Sequence, residues 1–308
     1  MLQPPSLPSF RSSAELTVLP EADWLNRRAA HEQRVRAWTD PHQERKARGE
    51  KHPVEDFLFE YYRFRPSWLR RWHPGPDVVL LGAAAREYLR WPEYEEKEKG
   101  VVLNIDSFEP ARRDTLVWLR TLLRHTAERP PQFACYGLHE WAMVYRQTPE
   151  EVRHNAWPLR FPAEELARIV EAQPVRCSHF DAFRFFTPAA RPLNRLQPER
   201  ASVGQFEQRG CLHANMDLYK WAFKLAPFTP SELVADCFAL AREIRTVDMR
   251  ASPYDFRALG FPPIMIETAA GRAEYESHQR AFAGRGQPLR VQLLALVEKL
   301  LRDLRLET

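Results

Sequence analysis

Apolar residues at helical spacing dominate the chain. In "EPARRDTLVWLRTLLRHTAERP" (109–130), Leu116, Leu119, Leu122 and Leu123 fall on one face, which predicts an amphipathic helix. The same period predicts a helix in "PEADWLNRRAAHEQRVRAWTD", opening near Pro20 or Glu21 and closing at Asp40-Pro41. Another is expected in "PVEDFLFEYY", with Pro53 at the first helical position, and further ones over 132–146, 162–172 and in "CLHANMDLYKWAFKL". Thr229-Pro-Ser-Glu232 has the pattern of a capping box for the long helix "ELVADCFALAREIRTVDMR", which "SPYD" (252–255) terminates. Two closing helices are predicted, "AGRAEYESHQRAFAG" and "PLRVQLLALVEKLLRDLRLE". "DVVLLG" (77–82) predicts a strand. From Pro174 to Phe186 the pattern changes: Val175, Cys177, Phe183 and Phe185 share odd positions with His179 and Asp181 between them, as in an extended segment. Residues 191–210 form the longest loop-like stretch, a length that in compact domains is often functional. The expectation is a mainly α fold, a compact multi-helix domain over 16–308 with a minor extended or β component, in one body or two intimate lobes.

Composition narrows the class. Twenty-six prolines against 11 glycines fit many short helices with stiff connections. A hydrophobic fraction of 44% and a charged fraction of 28% are those of a globular chain. No apolar run approaches the roughly 18 residues of a membrane span. "MLQPPSLPSFRSS" has three prolines and no apolar signal core, so residues 1–15 are expected to form a flexible tail and the cytoplasm is the default address. Four cysteines (135, 177, 211, 237) do not make a disulfide framework and are expected as free, mostly buried thiols.

The net charge of +4 is modest, but its distribution is informative. "YYRFRPSWLRRWH", Tyr61 to His73, holds four arginines, five aromatics and no acid, a composition suited to tracking phosphates and stacking bases; arginines laid over tryptophans at a helix contact would read alike. Several chemistries have no support: there is no Gly-x-Gly-x-x-Gly or P-loop, no Gly-x-Ser-x-Gly, no His-Glu-x-x-His and no Cys-x2-Cys.

Two stretches rhyme. "RCSHFDAFRFFTP" and "GCLHANMDLYKWAFKL" each open with Cys-x-His and continue to an aspartate. Cys177, His179, Cys211 and His213 have zinc-ligand chemistry, but i and i+2 share a face only on an extended chain, and the second pair opens a helix. No metal and no cofactor is therefore expected. On that helix, His213, Asp217, Lys220 and Lys224 are spaced 4, 3 and 4 and form one polar stripe on an otherwise apolar surface. His179, Asp181 and Arg184, interleaved with Phe180, Phe183, Phe185 and Phe186, could supply partners for the stripe and line a pocket for a planar ring. A solvated helix edge and a core strand are the plainer alternatives. A third cluster, Arg245, Asp248 and Arg250 with Ser252 and Tyr254, suits a phosphate, although helix-end electrostatics account for its arginines as well.

"EKHPVEDFLFEYYRFRPSWLRRWHPG", "CSHFDAFRFFTPAARPLN", "GCLHANMDLYKWAFKL" and "SELVADCFALAREIRTVDMRASPYD" together resemble a bacterial family, common in actinobacteria, labelled 3-methyladenine DNA glycosylase. The resemblance runs from about Leu16 to Leu301 and implies hydrolysis of an N-glycosidic bond in double-stranded DNA. The helix-hairpin-helix motif and the uracil-glycosylase signature are both absent, so no known active site maps onto this chain. Chemistry limits the candidates: a carboxylate to activate water or stabilise an oxocarbenium-like sugar, or an amine nucleophile, together with a pocket for a flipped base and cations on phosphates. Asp217 and Asp181 are the candidate carboxylates, with His213 beside Asp217 and Lys220 as the nucleophile if lyase chemistry accompanies excision. The candidate base pocket comprises His179, Phe180, Phe183, Arg184, Phe185, Asn194, Asn215, Tyr219 and Tyr254. Arg63, Arg65, Arg70, Arg71, Arg245 and Arg250 are the candidate phosphate contacts. The base is an alkylated purine or a bulky modified pyrimidine such as bacteriophage DNA carries. A metal-dependent enzyme built on the Cys-x-His pairs and a non-catalytic nucleic-acid-binding protein are the competing expectations.

Overall fold

Long apolar periods become helices in this chain, and tertiary contacts decide where those helices begin and end. The computed structural model describes residues 16–148, 150–152 and 156–306; the expected tail over 1–15 lies outside the described residues. In chain order the elements are β1 (Thr17–Leu19), α1 (Glu21–Ala47), α2 (Phe57–Tyr62), α3 (Pro66–Leu69), β2 (Val78–Leu80), β3 (Tyr94–Lys97), β4 (Gly100–Leu103), α4 (Arg113–Glu128), α5 (Leu138–Ala142), α6 (Ala163–Glu171), α7 (Phe180–Phe183), α8 (Val203–Phe206), α9 (Leu212–Lys224), α10 (Ser231–Arg250) and α11 (Ala269–Asp303), with 3-10 turns between several of them. The fold is mainly α with one small sheet, as the periodicity predicts. In that sheet, ordered β1-β2-β4-β3, β1 pairs parallel to β2 and the other pairs are antiparallel.

The core lies between the later helices: α11 packs against α4, α9 and α10, and α9 packs along α10. On α4, Leu116, Leu119, Leu122 and Leu123 are all buried, the face the sequence predicts. One contiguous apolar cluster joins this bundle to Trp24 and Trp72 from the first third of the chain. Full burial of each large side chain contributes on the order of 1.5–3 kcal/mol.

Six expectations are corrected, the first being the helix over 132–146, of which only α5 (Leu138–Ala142) forms between turns. α1 continues through Pro41 to Ala47, and α2 starts only at Phe57. Both shifts centre on buried Asp56, whose carboxylate accepts from His42 Nδ1 (2.9 Å), from the backbone N–H of His52 (2.8 Å) and from Arg45. These bonds offset the ~3 kcal/mol that an interior proline costs a helix. The two closing helices are one, α11, running through Pro288. A Cβ at Gly286 would lie 2.5 Å from Asn215 Oδ1, so the two helices meet there without room for a side chain. Next to it, fully buried Arg290 donates to Asn215 Oδ1 at 2.6 Å.

The capping box at Thr229 does not form, because α10 starts at Ser231 without a side-chain cap. Ser231 Oγ instead accepts from His73 N and donates to Arg71 O, while Glu232 takes the Trp72 indole N–H. The stretch 174–186 is extended only at its start, and α7 replaces the expected strand. Phe183 packs edge-on against Phe186 while Asp181 pairs with Arg184, so the spacing in force is i,i+3 and not i,i+2. The loop over 191–210 contains 3-10 turns and α8.

Candidate functional site

Asn194 builds the first wall. Its amide accepts from Cys177 N (2.7 Å) and donates to Cys177 O (2.9 Å), which holds 175–177 extended against Val175–Asn194 pairing. Chain direction then changes into α7, and His179 is turned inward, toward α9. The predicted stripe on α9 is real: His213 is half-buried, Asp217 buried, Lys220 half-buried and Lys224 exposed.

The two rhyming stretches face each other. His179 stacks on His213, with centroids 5.2 Å apart and planes 26° apart. His179 Nε2 stands 3.4 Å from Asp217 Oδ2 and 3.4 Å from Glu207 Oε1. Lys220 Nζ contacts Asp217 Oδ2 and lies 3.5 Å from Asp181 Oδ2. Tyr62 donates its hydroxyl to Asp217 Oδ1 at 2.7 Å, which ties the arginine–aromatic segment to the site.

The charges in this cluster sustain one another. Burial pushes the Asp217 carboxyl up, but the Lys220 ammonium and His179 outweigh it and hold the group well below the carboxylate range. Burial likewise disfavours charge on Lys220 and His179; the Asp217 carboxylate reverses this for both, aided by Asp181 and by Glu207 respectively. Burial raises Glu207 and the Tyr62 phenol, the latter with help from Asp217.

A second cluster lies one turn back along α9. Left-handed Gly137 opens the five-residue α5 and directs His139 and Glu140 into the core. His139 Nε2 lies 3.0 Å from Asp248 Oδ1 of α10, and its ring meets His213 edge-on at 4.5 Å. Arg245 Nη1 bridges Glu140 (3.0 Å) and Asp248 Oδ2 (3.3 Å). His213 is driven well below its ordinary value by burial and by His139.

Beyond Lys224, an aromatic groove of about 430 Å³ opens between Phe64, Trp68, Arg71, Trp91, Arg112 and Lys224. Arg71 lies over both Trp68 (5.3 Å) and Trp91 (5.6 Å), so cation–π stacking and an exposed guanidinium coexist on this wall.

Asp217, Asp181, Lys220, His213, His179 and Arg184 are thus brought together, with Phe180 half-buried and Phe185 beneath Arg184 at their edge. Other candidates belong to the framework. Asn194 and Asn215 spend their amides on the backbone and on Arg290. Phe183, Tyr219 and Tyr254 are buried in the core. Among the proposed phosphate contacts, Arg245 is buried with Glu140 and Asp248, Arg250 engages Glu274 and Pro262 O, and Arg70 engages Asp40 and Gln43. Arg63, Arg65 and Arg71 are exposed.

Sequence reasoning missed Tyr62, Glu207, His139 and Glu140. The long 191–210 stretch pointed to Glu207, and "EYY" beside the arginines pointed to Tyr62; nothing local to "GLHEWA" distinguishes His139 from a core histidine. Comparison with protein-family models, with curated proteins and with solved structures finds no match for this chain. Among the described residues, no helix is long and apolar enough to cross a membrane.

Proposed function

We propose that the protein is a DNA glycosylase, working in the cytoplasm on double-stranded DNA and excising a damaged or modified base flipped into the groove at the end of α9. The observation that carries this reading is the line along α9: buried Asp217, then Lys220 paired with Asp217 and with half-exposed Asp181, then Lys224 at a groove walled by Trp68, Trp91 and Arg71. Lys220 and Lys224 are one turn apart, about 6 Å along the axis. The resemblance of the four sequence blocks to the glycosylase-labelled family supports the same activity.

The chemistry divides among these residues. Excision breaks the bond from C1′ to the base nitrogen; the base leaves with the electron pair, and water adds to C1′. The Lys220 ammonium hydrogen-bonds the departing base, and the Asp181 carboxylate stabilises the cationic sugar and accepts the proton of the attacking water. Asp217, with Tyr62 and Lys220 on its two oxygens, is a positioning residue that keeps Lys220 charged and aimed. Trp68 and Trp91 stack the base, while Arg63, Arg65 and Arg71 contact phosphates. An alkylated purine and a bulky modified pyrimidine both suit a groove of this size and aromatic lining.

The test is mass spectrometry of bases released from a panel of alkylated and phage-modified duplex DNAs incubated with the full chain. Free base with an alkali-labile abasic site left behind is the expected result. Duplex binding with no base released from any member contradicts the enzyme and favours a nucleic-acid-binding protein.

A further inference from the structure

We propose that His139, His213 and Asp248 form a mononuclear site for a divalent first-row transition metal, with zinc its occupant. The inference goes beyond base excision and stands without it. One ligand atom from each of the three residues lies within 4.8 Å of the other two. They come from α5, α9 and α10, so an ion here would lock three helices together.

The His139–Asp248 contact carries the argument. His139 Nε2 and Asp248 Oδ1 are 3.0 Å apart, yet neither atom has a hydrogen-bond partner, and both side chains are almost fully buried. The pair attracts as an ion pair but lacks the aligned N–H···O bond that a buried imidazole and carboxylate ordinarily make. Two donor atoms that crowd together without aligning as N–H···O converge on a shared third point, as metal ligands do. Asp248 Oδ2 is held by Arg245, itself braced by Glu140, leaving Oδ1 for the ion; such outer-sphere bracing is a regular companion of metal carboxylates.

A cavity of about 20 Å³ adjoins His139 and His213, with room for one water-sized fourth ligand. Two imidazoles, one carboxylate and an open position form a donor set that suits zinc. His179, Glu207 and Asp217 converge in the same way, but there Tyr62 and the Lys220 ammonium already occupy both oxygens of Asp217. That cluster carries its own cation.

The experiment uses the purified full chain, stripped with a chelator, reconstituted with Zn²⁺ or Co²⁺ and desalted. Wild type is expected to retain one zinc per chain and to show the visible bands of four-coordinate Co²⁺. H139Q and H213Q should lose the ion, weakening binding by more than the ~10–100-fold typical of losing an outer-sphere partner, while D217N keeps it. If H139Q does not fold, H213Q decides, since its ring is only half-buried. Zinc near zero in wild type, unchanged zinc in H213Q, or zinc lost from D217N and not from H213Q would each overturn the proposal. None of these readouts depends on DNA.

Discussion

On one turn of α9, Asp217 is buried with a lysine on one oxygen and a tyrosine on the other. One turn earlier, His213 faces His139 and Asp248, whose nearest atoms stand 3.0 Å apart with no hydrogen bond between them. Both regions bury titratable groups against the same helix. In the first, Tyr62 and Lys220 bond both oxygens of Asp217 while the His179 nitrogens stay without a hydrogen-bond partner, and it leads outward through Lys220 to half-exposed Asp181. The second is buried except for half-buried His213, and its ligand atoms converge without a hydrogen bond between His139 and Asp248. A polar cluster whose carboxylate is bonded on both oxygens and that reaches solvent through a lysine is suited to act on a substrate; one whose carboxylate keeps an unbonded oxygen beside two imidazoles is suited to hold an ion.

The largest effect expected from breaking this contrast is in the Asp217 cluster. D217A removes the main counter-charge of Lys220 and His179, leaving them only Asp181 and Glu207, and should destabilise the protein by about 3–5 kcal/mol. Pairing it with K220M should recover part of that loss in a double-mutant cycle read by urea unfolding. Additive costs in the cycle would mean that Asp217 and Lys220 are not coupled.

A buried histidine without a carboxylate sharpens the comparison. His73 bonds Tyr94 and lies among Tyr88, Trp91 and Tyr94; burial, with Arg71 and His31, pushes its pKa down to about 3. Its neutral form is favoured by folding, so this stabilisation is fully present above the ordinary 6.5 and is lost as pH falls toward 3. The stability advantage of wild type over H73Q should shrink by about 2 kcal/mol between pH 6.5 and 4.5. A constant difference across that window would show that His73 does not titrate with unfolding. His179, by contrast, is raised because Asp217 and Glu207 outweigh burial.

The smallest effects come from two glycines of α11. G286A meets Asn215, which lies between His213 and Asp217 on α9, and should cost at least about 1 kcal/mol. G284A has nothing within 4 Å and should stabilise by about 0.5–1 kcal/mol. Thermal unfolding compares them, and equal shifts would contradict the close approach of α9 and α11.

Local periodicity made α4, α6, α9 and α10 legible, because each buries a face that repeats over several turns. It failed where one distant contact outweighs a local rule: Asp56 for Pro41, and Asn215 with Arg290 for Pro288. The β3–β4 hairpin was missed because "YEEKEKGVVL" is strongly charged; its strand character lies in register with β2. Within the site, the stripe on α9 was readable from its 4, 3, 4 spacing, and the aromatic-flanked partner from its composition. His139 and Asp248 were not readable as a pair, since they lie 109 positions apart and each has an ordinary local explanation. Alternation also misled, because Phe183 and Phe186 pack as a helical turn.

The most direct measurement of the central claim is single-turnover release of free base from a duplex carrying the best substrate of the panel, with wild type, D181N and K220Q compared at matched duplex binding. The site along α9 predicts rates lower by about 10²–10⁴-fold in both variants with binding retained. Full-rate release by both would contradict it.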